Sequence, residues 1–217
     1  LTVEGPIGKK TGFIFSARRS YLQLLFKALQ LPFLPTYNDF QFNVKHKINA
    51  KNTISFLGIG AIDQFTLNLS ANDTELQQYL LANLPVNEQW NYTVGTKYTH
   101  FAKNNYTNVV VSRSHLNNRA TKFAQNDETN PENSILDYNS QEIENKVRIE
   151  NIARKNGFKF LTGINYEFAT YTNDTYNNIA VNGNVVVIDY DVKLNLNKWG
   201  AFAQVSKALV NARLMLS

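Results

Sequence analysis

The residues of this chain that could perform chemistry are few and lie far apart. The three histidines, His46, His100 and His115, fall on different predicted strands and lack the short spacing of a metal-binding motif. The sequence has no Gly-x-Ser-x-Gly, no His-Glu-x-x-His and no phosphate-binding loop. We therefore predict a protein that is not an enzyme, with no catalytic residues, no metal and no cofactor.

An acidic segment, residues 126–139, is the candidate for cation binding. It contains Asp127, Glu128, Glu132 and Asp137, whose carboxylate oxygens are of the kind that bind Ca²⁺. A polar loop with four acids is more often a solvated surface, and we favour that interpretation.

Composition narrows the possible partners. The net charge of +5 is mild and spread along the chain, without the basic stripe that nucleic-acid binding requires, so we expect no nucleic-acid partner. No run of 18 apolar residues exists, so the sequence predicts no transmembrane helix. Cysteine is absent, which excludes a disulfide scaffold only.

The elements that carry these residues are strands of alternating polarity. Charged residues of both signs occupy one face of segment 142–154 and mostly apolar residues the other, which assigns a strand. The charged set is Glu142, Glu144, Lys146, Arg148 and Glu150, and the apolar set is Ile143, Val147 and Ile149. Such a charged face meets solvent in a soluble sandwich, and a water-filled or plugged interior in a barrel.

Strand length and spacing favour the barrel. Segments 89–101, 106–116, 141–154 and 159–171 reach the roughly 9–11 residues that a tilted transmembrane strand needs. Short turns alternate with long polar loops, as in outer-membrane barrels. The turns are predicted at residues 8–10, 49–52, 102–105, 155–157 and 210–212, and the loops at about 20–37, 68–88, 117–140 and 172–197.

Three of these loops are predicted to contain structure of their own. Segments 21–31 and 74–84 have leucines at helical spacing, which predicts a short helix in each. We favour a role in packing the loops over a surface that contacts a partner. Residues 181–184, Val-Asn-Gly-Asn, form a hairpin turn of the primed type, so loop 172–197 is expected to be an extended β-ribbon.

The sequence thus predicts an all-β fold, a transmembrane antiparallel up-and-down β-barrel. We count about nine or ten strands, fewer than the roughly 22 of plugged transporters, and interpret residues 1–217 as part of a larger barrel. Aromatic residues near strand ends indicate membrane-interface girdles, although aromatic residues also favour strands in general. The girdle candidates are Trp90, Tyr92, Tyr98, Tyr106 and Trp199.

Three motifs resemble the barrel of TonB-dependent outer-membrane receptors of the Bacteroidetes type. They are Gly-Pro at residues 5–6, Ser-Ala-Arg-Arg-Ser-Tyr at 16–21 and Trp-Gly-Ala-Phe-Ala-Gln at 199–204. The resemblance covers nearly the whole chain. It implies location in the bacterial outer membrane and energised uptake of a scarce nutrient. It also implies outer-membrane lipid, a plug domain of the same protein and the TonB complex as partners, with an unknown nutrient ligand and a surface lipoprotein as a further candidate.

The chain departs from that family's pattern because it contains no plug and no TonB-contacting motif. Either the remaining strands belong to the same protein, or several copies close one barrel; we favour the first, since an open sheet edge is not tolerated in lipid. Arg18 and Arg19 precede the first large loop, and we expect them to face the lumen and pair with plug carboxylates.

Two other functions remain open. The same barrel could be an adhesin or a scaffold subunit of an envelope complex, without transport. A soluble β-sandwich or lipocalin-like binder is the third alternative, and it would not need detergent for extraction.

Overall fold

The computed structural model describes residues 1–209 and 214–216. These residues form one antiparallel sheet in which every strand pairs with its neighbours in chain order. The strands are β1 (Thr2–Ile7), β2 (Thr11–Arg19), β3 (Phe33–Lys47), β4 (Asn52–Leu67), β5 (Val86–Phe101), β6 (Asn105–Phe123), β7 (Ser134–Lys155), β8 (Phe158–Val181), β9 (Asn184–Leu209) and the short β10 (Leu214–Leu216). The predicted all-β, up-and-down fold class is confirmed. Within the described residues the sheet is open, because β1 pairs with β2 alone and β10 with β9 alone.

The short turns lie where the sequence predicts them, between β1 and β2, β3 and β4, β5 and β6, and β7 and β8. Asn156 and Gly157 have φ angles of 52° and 76°, and Asn182 and Gly183 of 51° and 80°. Two consecutive positive φ angles are the geometry of a type I′ hairpin turn, which asparagine followed by glycine favours. The predicted turn at residues 210–212 lies outside the described residues.

The strands are longer than predicted, and one loop assignment is wrong. Residues 117–140 were expected to be a loop, but β6 continues to Phe123 and β7 begins at Ser134, with only two short 3₁₀ turns between them. Both faces of this stretch are polar, for example where Arg119 pairs with Asn139 in the ladder. The period of two that marks a half-buried strand is therefore absent from the sequence there. Loop 172–197 is the predicted β-ribbon.

Two helices connect the strands, and both predicted helices are confirmed with shorter bounds: α1 (Leu22–Ala28) and α2 (Glu75–Asn83). Thr74 begins α2 with a capping box, since its hydroxyl accepts from the Gln77 amide at 3.2 Å and its own amide donates to Gln77 Oε1 at 2.9 Å. Gln77 Nε2 also donates to the Gln30 carbonyl at 2.8 Å, so the two loops are in contact.

The sheet has two ends and two faces. We call the end with the four short turns the turn end, and the opposite end, with α1 and α2, the loop end. Residues directly opposite each other in an antiparallel ladder point to the same face, and alternate residues point to opposite faces. We call the face that carries Val111 and its ladder partner Val147 the Val111 face. The opposite face carries Lys146 and its ladder partner Ser112, and we call it the Lys146 face.

The part of the chain that the structure describes lacks the hydrophobic core of a soluble protein. Its buried apolar residues are four, Ala71, Leu81, Ile152 and Ala169, and no large side chain is fully buried. Nearly forty large apolar side chains are exposed by contrast, far more than scattered surface residues explain. The sheet is not folded onto itself as in a sandwich, so its stability requires contact with something outside these residues.

Candidate functional site: the two faces of the sheet

An apolar band crosses the Val111 face from β2 to β9. Adjacent strands contribute to it in register, so that a continuous row of side chains runs across the hydrogen-bonding direction. One such row consists of Phe13, Val44, Phe56, Thr96, Val111, Val147, Tyr166 and Trp199. Trp199 is 77% exposed and packs against Tyr166 with a centroid distance of 4.2 Å and an angle of 35° between the rings. A surface of this kind is suited to contact with hydrocarbon rather than with water.

The Lys146 face carries paired charges at the same level of the sheet. Lys146 Nζ lies 2.6 Å from Glu144 Oε2 and 3.4 Å from Glu167 Oε2, and Lys198 Nζ lies 2.8 Å from Glu167 Oε1. Tyr171 donates to the other oxygen of Glu144 at 3.2 Å. These groups lie on β7, β8 and β9, and each keeps access to water. The face is therefore a hydrated polar wall directly behind an apolar one.

The two faces exchange polarity along β9. At its turn end, Trp199, Ala201, Ala203 and Val205 lie on the Val111 face, opposed by Lys198 and Gln204. Towards the loop end the pattern reverses: the Val111 face carries Asp189, Asp191, Lys193 and Asn195, and the Lys146 face carries Ile188, Tyr190, Val192 and Leu194. The exchange occurs between Asn197 and Trp199. A single solvent on either face would not produce it, so the environment of the Val111 face must change at this height.

Four of the five girdle candidates lie on the Val111 face: Trp90, Tyr92, Tyr98 and Trp199. Trp90 and Tyr92 lie towards the loop end and stack with a centroid distance of 6.2 Å, whereas Tyr98 lies near the turn end and donates to Asn52 Oδ1 at 2.6 Å. These positions fit two separate aromatic belts.

Tyr106 is placed differently from the sequence expectation. It pairs with Phe101 and Ile152, which puts it on the Lys146 face. Counting along the sequence located Tyr106 near a strand end, but only the register of the ladder shows which face it occupies. Tyr106 therefore does not belong to the row formed by the other candidates.

Arg18 and Arg19 are neighbours in a strand, and so they point to opposite faces. Arg18 lies on the Lys146 face, where its guanidinium forms an ion pair with Asp39 at 2.7 Å. Arg19 pairs with Asn38 on the Val111 face. The expected lumen contact is therefore possible for only one of the two arginines.

The acidic segment forms a compact turn. The Asp127 carboxylate accepts from the Thr129 hydroxyl at 2.6 Å and amide at 3.0 Å and from Asn133 Nδ2 at 3.1 Å. These hydrogen bonds lower the pKa of Asp127. Within the described residues no group of three or more metal-ligating side chains lies together.

Lys122 was not singled out by the sequence, yet it is the buried cation of the loop end. Its ammonium donates to the Leu81 carbonyl at 2.6 Å, the Leu84 carbonyl at 3.1 Å and Asn126 Oδ1 at 2.6 Å. Burial lowers the pKa of Lys122. A lysine in a polar strand gives no sequence signal that it reaches the C-terminal carbonyls of a helix on another loop.

Comparison with known proteins identifies similar folds among solved structures. No family model matches the sequence, and no curated protein matches it either. Solved structures do match: the ferripyoverdine receptor of the outer membrane of Pseudomonas aeruginosa (TM-score 0.64, 11% identity, 97% of this chain) and the ferric citrate transporter FecA (0.61, 9%, 96%). The ferric-catecholate import receptor Fiu from K12 E. coli is similar too (0.60, 14%, 97%).

The sheet has the fold of part of the β-barrel of these structures. The chain covers 33% of the ferripyoverdine receptor, 33% of FecA and 40% of Fiu, and therefore spans about a third of the length of these structures. At 9–14% identity the likeness concerns the fold. Among the described residues, no helix has the length and apolar character needed to cross a membrane.

Proposed function

We propose that residues 1–217 are part of the barrel of a TonB-dependent receptor in a bacterial outer membrane. The observation that carries this proposal is the polarity exchange along β9. A band that is apolar on the Val111 face and hydrated on the Lys146 face matches a strand with lipid on one side and a wet or plugged lumen on the other. From Asn197 to Asp189 the Val111 face of β9 is polar, as expected where a strand leaves the bilayer.

The open edges of the sheet fit a barrel completed by further strands. Free strand edges in hydrocarbon leave backbone groups without partners, and closure removes them. In this proposal the Lys146 face lines the lumen and contacts a plug domain, with Arg18 among the contacting residues. Energised opening by the TonB complex would then admit a scarce nutrient.

The two loop helices are the proposed contact region for that nutrient or for a surface lipoprotein. Tyr21, Leu24 and Leu29 on and beside α1 and Leu76 and Tyr79 on α2 are all more than half exposed. The Gln30–Gln77 hydrogen bond joins them into one surface. The motifs at residues 16–21 and 199–204 support assignment to the Bacteroidetes type of these receptors.

Three experiments test the proposal. The complete reading frame should encode a plug domain upstream of Leu1; a frame without one would favour an adhesin or scaffold barrel. The intact protein should then appear in the outer-membrane fraction and require detergent for extraction, and cells lacking either this protein or the TonB complex should lose uptake of the same nutrient. Uptake that persists without the TonB complex would contradict the energised mechanism.

A further inference from the structure

Arg113 is a charged residue on the apolar side of the sheet. It lies on the Val111 face of β6, between Val94 of β5 and Asn145 of β7. Val109 and Val111 precede it on that face, and His115 and Asn117 follow it. Arg113 is therefore the position at which β6 passes from apolar to polar on this face.

The guanidinium of Arg113 is held in place by neutral groups. Its Nε donates to the Tyr92 hydroxyl at 3.2 Å, and Nη1 donates to Asn145 Oδ1 at 3.0 Å. Among the side chains that the structure describes, no carboxylate lies within ion-pair distance of Arg113. Arg119, on the same face of the same strand, is by contrast paired with Asp137 at 3.4 Å. Arg113 thus presents an oriented positive charge without a partner of opposite sign.

A shallow hollow lies beside this charge. It has a volume of about 370 Å³, and its lining on the Val111 face changes from apolar to polar. The apolar part includes Phe56, Val111 and Val147, and the polar rim is formed by Arg113 and Asn145. Thr96, a small residue in the row between Phe56 and Val111, leaves room at its centre.

The height of Arg113 agrees with that of a lipid headgroup. It stands eight residues beyond Asn105, which begins β6. At about 3.3 Å per residue and a tilt of about 40°, it lies roughly 20 Å above the turn end, near the upper limit of an apolar band about 25 Å tall. An arginine placed there can bind a phosphate through charge-assisted hydrogen bonds.

We propose that Arg113, with Tyr92 and Asn145, binds the phosphate of an anionic lipid of the outer membrane whose acyl chain lies in the hollow over Thr96. The proposal rests on the proposed membrane location, and it adds a specific lipid site to the generally apolar band. The site takes an anionic rather than a zwitterionic lipid, because the charge of Arg113 is uncompensated by the protein.

The test measures lipid binding to the intact, detergent-purified protein by native mass spectrometry, with dioleoyl-phosphatidylglycerol and dioleoyl-phosphatidylcholine as probes. Phosphatidylglycerol should bind more tightly to the unaltered protein. Arg113→Gln should weaken its binding about tenfold, as expected for the loss of a charge-assisted contact, and remove the preference. Arg119→Gln, the matched control, should keep both, since Asp137 already neutralises that charge.

A second variant keeps the proposal testable if Arg113→Gln does not fold. Thr96→Trp fills the hollow but retains Arg113, and it should weaken binding of both lipids. Equal affinity for the two lipids, or an unchanged affinity of Arg113→Gln, would overturn the assignment. If the intact protein stays in aqueous solution without detergent, the proposed location itself fails, which a negative lipid result alone would not show.

Discussion

The ammonium of Lys122 lies 2.6 Å from the carbonyl oxygen of Leu81, so the loop end of β6 is tied to the last turn of α2. A helix leaves its final carbonyls without intrahelical partners, and a cation there satisfies them and complements the helix dipole. The contact joins β6 to α2 through two residues that are 41 positions apart in the chain. It holds the α2 part of the proposed contact region in a fixed place on the sheet.

Replacing this cation should loosen α2. In Lys122→Met the Leu84 carbonyl loses its side-chain donor and the Leu81 carbonyl keeps only Asn126 Nδ2, a local cost of about 1–3 kcal/mol. Hydrogen exchange measured by mass spectrometry on the intact protein should then show faster exchange across Glu75–Asn83, with strand amides unchanged. Arg119→Met is the control, because Arg119 is exposed and forms only a long ion pair. Equal exchange in the two variants would show that Lys122 does not fix the helix.

Of Arg18 and Arg19, we expect Arg18 to be the residue that contacts the plug inside the lumen. Arg18→Glu places a carboxylate opposite Asp39 and reverses the charge offered to a plug, whereas Arg19→Glu changes the other face. We expect the plug of the full-length protein to become more sensitive to protease in Arg18→Glu than in Arg19→Glu. The same sensitivity in both variants, or in neither, would remove Arg18 from the plug contact.

We expect the loop-end part of β9 to contact the imported nutrient through its Lys146 face. Val192 lies on that face and is half exposed, while Asp191 beside it lies on the Val111 face. If this apolar surface contacts the imported nutrient, Val192→Asp should reduce uptake severalfold at unchanged protein level in the membrane. Asp191→Asn should leave uptake unchanged. A loss in Asp191→Asn alone would place the contact on the opposite face.

The sequence predicted most of the strands and turns of this molecule and few of the contacts between distant residues. Turns such as Asn182-Gly183 have a local cause, the positive φ that these residues tolerate, and are therefore readable from the sequence. The clear alternation of Glu144 and Lys146 with Val147 identified strand and face correctly. These features depend on neighbouring residues alone.

What escaped prediction depends on partners that are distant in the chain. Tyr106 looked equivalent to Tyr98 until the register placed them on opposite faces. The sequence does not single out Arg113, because its hydrogen-bond partners Tyr92 and Asn145 lie on adjacent strands. The sequence predicts a loop for the polar continuation of β6, because a strand with two polar faces has no hydrophobic period.

A lysine introduced at the same height should lower stability by different amounts on the two faces. Val111 and Ser112 are adjacent on β6 and point to opposite faces. Val111→Lys should lower the free energy of unfolding in a bilayer by about 2–4 kcal/mol, the cost of a charge on the lipid side near midplane. Ser112→Lys should cost much less, since its side chain faces the hydrated wall. Urea unfolding of the intact protein from lipid vesicles measures both values.

The most direct measurement of the central claim is the collision accessibility of spin labels at these two positions. The chain has no cysteine, so Val111→Cys and Ser112→Cys each provide one labelling site within it. In the intact protein in bilayers, the label at residue 111 should collide often with oxygen, which partitions into lipid, and rarely with a water-soluble nickel chelate. The label at residue 112 should show less oxygen contact and more chelate contact. Equal accessibility at both positions, or the reverse order, would contradict the assignment of lipid to the Val111 face.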